Sequence, residues 1–423
     1  MAIDSFGAWP SGINGRPSPG PLSQRRQRHL LGALLAAALL VELLRHGLGG
    51  GAVPAPPLLA LKPALAAPLR LRALAPIDLP ELADAPAAHA SSLAVLPDGS
   101  GLMAAWFVGE RESAPDVHIV SATFDAATAT WSAPQTLIDR AALGRALGFG
   151  VRRIGNPVLW FDARGQLHLF VVATGPGGWA AARVVHVRGL ASARTAIDAP
   201  GAAPTRLEAS VLPLSPLWGI SLMARGSPAR TVGGGALLPL HFELGRDVPM
   251  LLELSPDGEP LQASRVTNRI ESRQLSLVAT GPQQLLAYMR DDAEPQGYVQ
   301  RARSDDGGRH WRDLPPLGLY NPDSALDSLR LPDGSLVLAL NPDRHDRNRL
   351  VLMRSFDGGS QWRQEAVLDD EPNTSLLGPA RYRGMTEYSY PTLALQGNEL
   401  HVSYTLHRRQ IRHRRFALES GTP

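Results

Sequence analysis

What this 423-residue sequence lacks narrows its chemistry first. Cysteine is absent, which removes thiol nucleophiles, disulfides and cysteine metal sites. No tight group of histidines and carboxylates has metal-ligand spacing, and no cofactor is expected. Phenol, carboxyl, imidazole and guanidinium groups remain. The run Gly109-Glu110-Arg111-Glu112-Ser113-Ala114-Pro115-Asp116 mixes carboxylates with a guanidinium. A mobile-loop carboxyl can pass a proton to a leaving oxygen when closure raises its pKa. Two phenols, Tyr388 and Tyr390, lie in Glu387-Tyr388-Ser389-Tyr390-Pro391-Thr392-Leu393. A phenol with its ordinary pKa near 10 needs a neighbouring base before it can attack. Arginine offers a planar fork that grips a carboxylate through paired hydrogen bonds. Each group also has a plainer reading: a core aromatic for the tyrosines, a solvated charged loop for Glu112, a surface position for Glu271.

The elements that must hold these groups are strands and turns. Ser304-Asp305-Asp306-Gly307-Gly308-Arg309-His310-Trp311 recurs as Ser355-Phe356-Asp357-Gly358-Gly359-Ser360-Gln361-Trp362, both fitting S-x-D-x-G-x-x-W. The Ser and Asp oxygens can bond the turn's own backbone, glycine permits positive φ, and the Trp packs over the hairpin. Turn residues also introduce apolar runs at Leu96–Ser100, Phe161–Gly165, Gly233–Gly235, Gly281–Pro282, Leu331–Ser335 and Gln396–Asn398. These are hairpin signals. They stand roughly 45 to 70 residues apart, room for four strands and loops in each unit. No sustained helical periodicity follows residue 80. The expected fold is all-β, a six-bladed propeller over residues 77–423, with its site on loops at one end of the central channel.

The repeated motif resembles the Asp-box of the sialidase superfamily, and the resemblance spans residues 85 to 418. It is closest to the bacterial sialidase-like branch with neuraminidase-like repeats. In that family the box is architectural and lies away from the active site. The resemblance implies Tyr388 as a nucleophile, replacing the carboxylate of most retaining glycosidases, with Tyr390 as the lesser candidate. A neutral nucleophile avoids repulsion from the substrate's own carboxylate. The resemblance further implies Glu271 as the group that activates the tyrosine and Glu112 as acid/base, with Arg111 and Asp116 beside it at the substrate. Arg290 and Arg347 match the second and third arginines of the family's carboxylate clamp, with Arg349 competing for the latter. The first clamp arginine is missing, and the corresponding segment reads His89-Ala90-Ser91-Ser92-Leu93. A histidine there would be charged only in acid, so affinity for an anionic sugar is expected to weaken from about pH 5.5 to 8.

The implied activity is exo-α-sialidase-like hydrolysis of a terminal acidic sugar. The alternatives are a non-catalytic glycan-binding propeller, which Tyr388 pointing into a blade would favour, and a lyase acting on acidic polysaccharide. Net charge is +3, and no aromatic-interleaved basic stripe points to nucleic acid. Arg25, Arg26, Arg28 and His29 precede an apolar run from Leu30 to Val41, as in a signal peptide or signal anchor over residues 1–45. A Pro/Ala-rich linker is expected over residues 46–76. Together these predict export from the cytoplasm, with a possible membrane tether, and a monomer acting on a glycan.

Overall fold

Each turn-plus-apolar unit of the sequence becomes the inner hairpin of one sheet. A computed structural model of the chain describes residues 56–65, 67–190, 206–214, 219–291, 297–371 and 386–421, with positions 33, 36 and 37. The chain divides into Met1–Val53 and Pro54–Pro423. The leader expected over 1–45 lies outside the described residues except for those three positions, which are helical.

In the second unit, β1 (Leu69–Ala73) and β2 (Ile77–Asp78) precede six sheets. Blade one holds β3 (Ala87–Val95), β4 (Gly101–Gly109), β5 (His118–Asp125), β6 (Thr130–Trp131) and β7 (Gln135–Ile138). Blade two holds β8 (Arg153–Phe161), β9 (Leu167–Thr174), β10 (Arg183–Arg188) and β11 (Glu208–Val211). Blade three holds β12 (Leu222–Ala224), β13 (Ala229–Arg230), β14 (Ala236–Phe242), β15 (Val248–Leu254) and β16 (Pro260–Arg265). Blade four holds β17 (Ser272–Ala279), β18 (Leu285–Asp291), β19 (Gln300–Ser304) and β20 (Arg312–Leu314). Blade five holds β21 (Asp327–Arg330), β22 (Leu336–Leu340), β23 (Arg349–Ser355) and β24 (Arg363–Asp370). Blade six holds β25 (Tyr388–Gln396), β26 (Glu399–Leu406) and β27 (Gln410–Ser420).

Strand β4 is buried along its whole length, which is why Leu102–Val108 reads as a continuous apolar run without alternation. Both its faces pack. The apolar cores lie in the seams between consecutive blades: Phe107 shares one cluster with Leu159, Trp160 another with Leu238, and Val337 a third with Leu400. Ala394 and Ile411 of blade six pack with Leu93 and Leu102 of blade one, closing the ring. The fold is the expected six-bladed propeller.

The N-terminal boundary differs from the expectation. Part of the stretch read as a linker is built into the propeller: β1 pairs with β27 from Leu69↔Ser420 to Ala73↔Phe416, forming the outer strand of blade six. Ahead of it the chain threads across three blades. Leu59 bonds Pro282 O at 2.7 Å, Val232 bonds Leu58 O at 2.7 Å, and Leu65 bonds Pro332 O at 2.8 Å. Leu59 is buried in the seam of blades three and four. Proline there suppresses helix and leaves main-chain groups free for the hairpin turns, Leu59 and Leu65 donating and Leu58 accepting. A second difference is α1 (Arg140–Leu147), between blades one and two. Asp139 caps its first turn by accepting from Ala142 N, and Gly148 ends it in the left-handed region. Eight residues are too few for a periodic signal, although the cap and the glycine are legible.

Both Asp-boxes join the third strand of a blade to the fourth. In the second, Asp357 accepts from Ser355 Oγ at 2.8 Å, Ser360 N at 3.0 Å and Gln361 N at 2.9 Å. Trp362 Nε1 donates to Gly359 O at 3.2 Å. Gly307 and Gly308 both take positive φ, 70° and 93°, which explains the paired glycines of the motif.

Candidate active site

Six non-glycine residues take positive φ at or just before the first strand of each blade: Ala90 (56°), Asn156 (46°), Ser221 (53°), Gln274 (47°), Asp323 (48°) and Tyr390 (56°). Four of these strands show a register break there, between His89/Ser92, Gly155/Val158, Arg273/Ser276 and Ser389/Thr392. A bulge of this kind inserts a residue and re-aims its side chain. Left-handed backbone is costly for such residues and persists only where the surroundings impose it. Here it recurs around the ring. Because consecutive strands run antiparallel, the bulges share one end of the channel with the loops joining second to third strands. The Asp-boxes lie at the other end.

Three of these positive-φ residues converge on Arg290. Arg290 Nε donates to Asp323 Oδ1 at 2.7 Å and Nη1 to Gln274 Oε1 at 2.6 Å, and Arg290 also interacts with the Tyr390 side chain. Tyr390 is half-buried, its ring centroid 4.3 Å from that of His89. The Arg225 guanidinium lies 4.9 Å from the same ring. Arg225 is itself buried and spans the bore, donating to Ser91 O at 2.8 Å and Pro391 O at 3.1 Å. Buried Asp327 accepts from Leu393 N and Ser276 Oγ, and burial raises its carboxyl against the pull of Arg225.

A run of charged contacts leads across the mouth from Arg290. Arg347 Nη2 donates to Asp323 O at 2.6 Å and Nη1 to Glu387 Oε1 at 3.2 Å. Arg408 grips Glu387 through Nε at 2.7 Å and Nη2 at 3.1 Å, while its Nη1 meets Glu112 from blade one. Burial alone would raise the Glu387 carboxyl, but Arg408 above all, with Arg347, brings it down to about 2. It is a fixed anion, not a base. On the blade-three side, Arg273 pairs with Asp247 at 3.0 Å, and His241 Nε2 lies 2.9 Å from Glu243 Oε1.

The structure thus gathers Glu112, His89, Arg290 and Arg347 at one mouth. Tyr388 it places elsewhere. That residue is fully buried in the apolar seam of blades five and six with Leu350, Leu393 and Tyr404. Burial and the charges of Glu371 and Asp369 push its phenol up, so it stays neutral. The reason is the bulge: Tyr388 and Tyr390 are separated by one residue, and the left-handed turn at Tyr390 breaks the alternation that would put them on one face. Tyr390 takes the mouth position expected of Tyr388. Glu271 is also displaced, an exposed residue in the bend before β17, and Gln274 stands at the bulge. Arg111 and Asp116 are exposed in the β4–β5 loop, where Asp116 caps Glu110 N at 2.6 Å. Arg349 points outward to Gln364 and Asp370.

His89 does not behave as a titrating clamp. It is 2% exposed, and neither ring nitrogen has a hydrogen-bond partner. Burial, then the charges of Arg408, Arg225 and Arg347, holds its pKa well below the ordinary value. It is neutral across the range in which a charged histidine was expected. Sequence reasoning missed Arg225 and Arg408. The repetition of Gly155-Asn156-Pro157-Val158-Leu159 in Ser389-Tyr390-Pro391-Thr392-Leu393 would have aligned Tyr390 with Asn156 and placed it at a bulge.

No curated protein sequence matches the chain. Among solved structures, a Hadza microbial sialidase is similar at TM-score 0.62 and 15% identity, covering 80% of this chain and 66% of its own. Trypanosoma rangeli sialidase in complex with the inhibitor DANA is similar at TM-score 0.54 and 12% identity, covering 83% and 60% respectively. A Penicillium chrysogenum alpha-L-arabinanase complexed with arabinobiose is similar at TM-score 0.56 and 12% identity, covering 82% of this chain and 98% of its own. The chain therefore spans less than two thirds of the length of these sialidases, and at such identities the likeness is one of fold. Residues 100–402 match the family described as the BNR repeat-like domain, most of the propeller and more than half of the sequence. By that match the chain belongs to the BNR repeat-like domain family.

Proposed function

We propose that the chain is a glycoside hydrolase acting on a terminal sugar that bears a carboxylate, with Tyr390 as nucleophile and Glu112 as proton donor. The carrying observation is the setting of Tyr390, whose ring lies against His89 and Arg225 and whose side chain interacts with Arg290. Negative charge developing on the phenol oxygen meets a fixed guanidinium without reorganisation. A phenol also approaches an anomeric centre next to a carboxylate without like-charge repulsion. His89, neutral and with both ring nitrogens unpartnered, packs against the ring, and the half-exposed phenol gives its proton to solvent as it attacks. Arg347 and Arg408, each partly exposed and sharing Glu387, face the sugar carboxylate. Sialidases and an arabinanase among the similar folds support glycan chemistry at this mouth. The basic and apolar leader sequence supports action outside the cytoplasm.

One observation favours a second reading, a propeller that binds glycans without turning them over. The carboxylates around Tyr390 are committed: Glu387 to Arg408 and Arg347, and Asp323 to Arg290. Screening residues 54–423 against chromogenic glycosides of neutral and acidic sugars separates the two. Turnover of an acidic glycoside that disappears in Tyr390→Phe supports the hydrolase. Tight binding of acidic sugars without turnover in either protein supports the binding module.

A further inference from the structure

Arg408 lies in a hairpin turn, and the fold commits unusual backbone to it. The turn from Leu406 to Arg409 closes with Arg409 N donating to Leu406 O at 3.0 Å, and its two central residues both take positive φ, His407 at 52° and Arg408 at 56°. Such a turn favours Asn-Gly, and His-Arg there is strained. The strain holds a guanidinium over the mouth. Two of its nitrogens are locked on Glu387, which is buried and further held by Ser389 Oγ at 2.7 Å and by Arg347. The remaining nitrogen, Nη1, meets Glu112 of blade one. The two partners differ in kind. The Glu112 side chain is 45% exposed, whereas that of Glu387 is 10% exposed. An exposed ion pair contributes little and exchanges readily, while a buried and doubly bonded one does not.

We propose that Arg408 is the residue that selects a carboxylated sugar, and that Glu112 is the resident stand-in for the ligand's carboxylate on Nη1. The inference rests on the reading of this mouth as a site for such sugars. On binding, the sugar carboxylate takes the Nη1 face, and the Glu112 carboxylate leaves it. Glu387 keeps the guanidinium oriented throughout. The displaced Glu112 remains on the β4–β5 loop at the edge of the site, where, freed from the guanidinium and exposed, it can take a proton from solvent and pass it to the leaving oxygen. A sugar without a carboxylate leaves the Glu112–Arg408 pair intact. Three further groups near Arg408 are the neutral His89, Arg347 bonded to Glu387 and Asp323 O, and the Tyr390 phenol.

The test uses N-acetylneuraminate and glucuronate as probes, each against its uncharged methyl ester, with wild type, Glu112→Gln and Arg408→Gln over residues 54–423. Titration calorimetry should give Glu112→Gln about two- to fivefold tighter binding of at least one acid, as when a weak competing ion pair is removed. Its affinity for the ester should not change. Arg408→Gln should lose about tenfold or more toward the same acid. Hydrogen exchange of residues 110–117 should quicken in Glu112→Gln, and in wild type when the acid binds. Acid binding that is preferred over ester in wild type, yet unchanged or weakened in Glu112→Gln with no change in loop exchange, overturns the stand-in role and leaves the proposed function in place. Absence of acid binding in all three proteins overturns the carboxylated-sugar reading itself, and the selecting role of Arg408 with it.

Discussion

The ring of Tyr390 lies 4.3 Å from the ring of His89, centroid to centroid, although the two residues stand at opposite ends of the propeller sequence. The contact crosses the closing seam of the ring, between blade six and blade one. It exists because both inner strands bulge at the same height, at Ala90 and at Tyr390.

The two tyrosines of Ser389's flanks should therefore respond oppositely to substitution. Tyr390→Phe is expected to abolish turnover of an acidic glycoside while leaving ligand affinity within a few-fold, because only the hydroxyl is lost. Tyr388→Phe should leave turnover per folded molecule unchanged and shift stability by no more than about 1 kcal/mol. Steady-state kinetics and urea unfolding on the pair check this, and loss of turnover in Tyr388→Phe alone would reverse the assignment.

How far the site was legible follows from these same residues. Turn chemistry and apolar runs placed all six inner hairpins, because a strand packed on both faces announces itself as a continuous apolar run. The doubled Asp-box marked the fold and the end of the barrel away from chemistry. What alternation could not foresee is a bulge, which shifts the face of every residue on one side of it. Tyr388 and Glu271 were misplaced for that reason, each lying just before a bulge whose own residue, Tyr390 or Gln274, reaches the mouth. Arg225 and Arg408 come from a short strand end and a hairpin turn, where neither periodicity nor composition distinguishes a buried cation from a solvated one. Residues 56–73 read as linker because their proline content hides main-chain bonds made to distant turns.

The N-terminal strap is expected to be part of the folding unit. A protein beginning at Ile77 lacks β1 and the buried Leu59 and Leu69, each of which contributes about 1.5–3 kcal/mol by burial. It should melt well below one beginning at Pro54, and its open β27 edge should promote association. Calorimetry and size-exclusion chromatography of the two proteins decide this. Equal melting temperatures would mean the strap is dispensable.

Asp357→Ala should lower stability without touching the site. It removes three hydrogen bonds within the box turn, each worth about 0.5–1.5 kcal/mol net. Melting temperature is expected to fall while turnover per folded molecule persists. A selective loss of turnover at unchanged melting temperature would place the box in the site.

Buried histidine pairs should make the fold acid-sensitive. His168 Nδ1 lies 2.9 Å from His186 Nε2, and His401 Nδ1 lies 2.9 Å from His413 Nε2. Burial chiefly, with neighbouring positive charge, holds His186 and His401 down to about 3. A histidine in the unfolded chain titrates near 6.5. Between these values the unfolded chain binds protons that the folded one does not. This contribution is therefore full above about pH 6.5 and is lost as pH falls toward 3. Urea unfolding from pH 7 to 4 should show a shallower pH dependence in His401→Gln than in wild type, and identical slopes would contradict the assignment.

The most direct test of the central claim is to trap the sugar on the protein. An activated, fluorine-substituted derivative of the sugar acid that wild type turns over should slow breakdown of a glycosyl-enzyme and leave one sugar attached. Intact mass measurement followed by peptide mapping locates it. The account predicts a single adduct on Tyr390, absent in Tyr390→Phe and present in Tyr388→Phe. An adduct on Tyr388 or on a carboxylate, or turnover with no adduct and an undiminished rate in Tyr390→Phe, would contradict it.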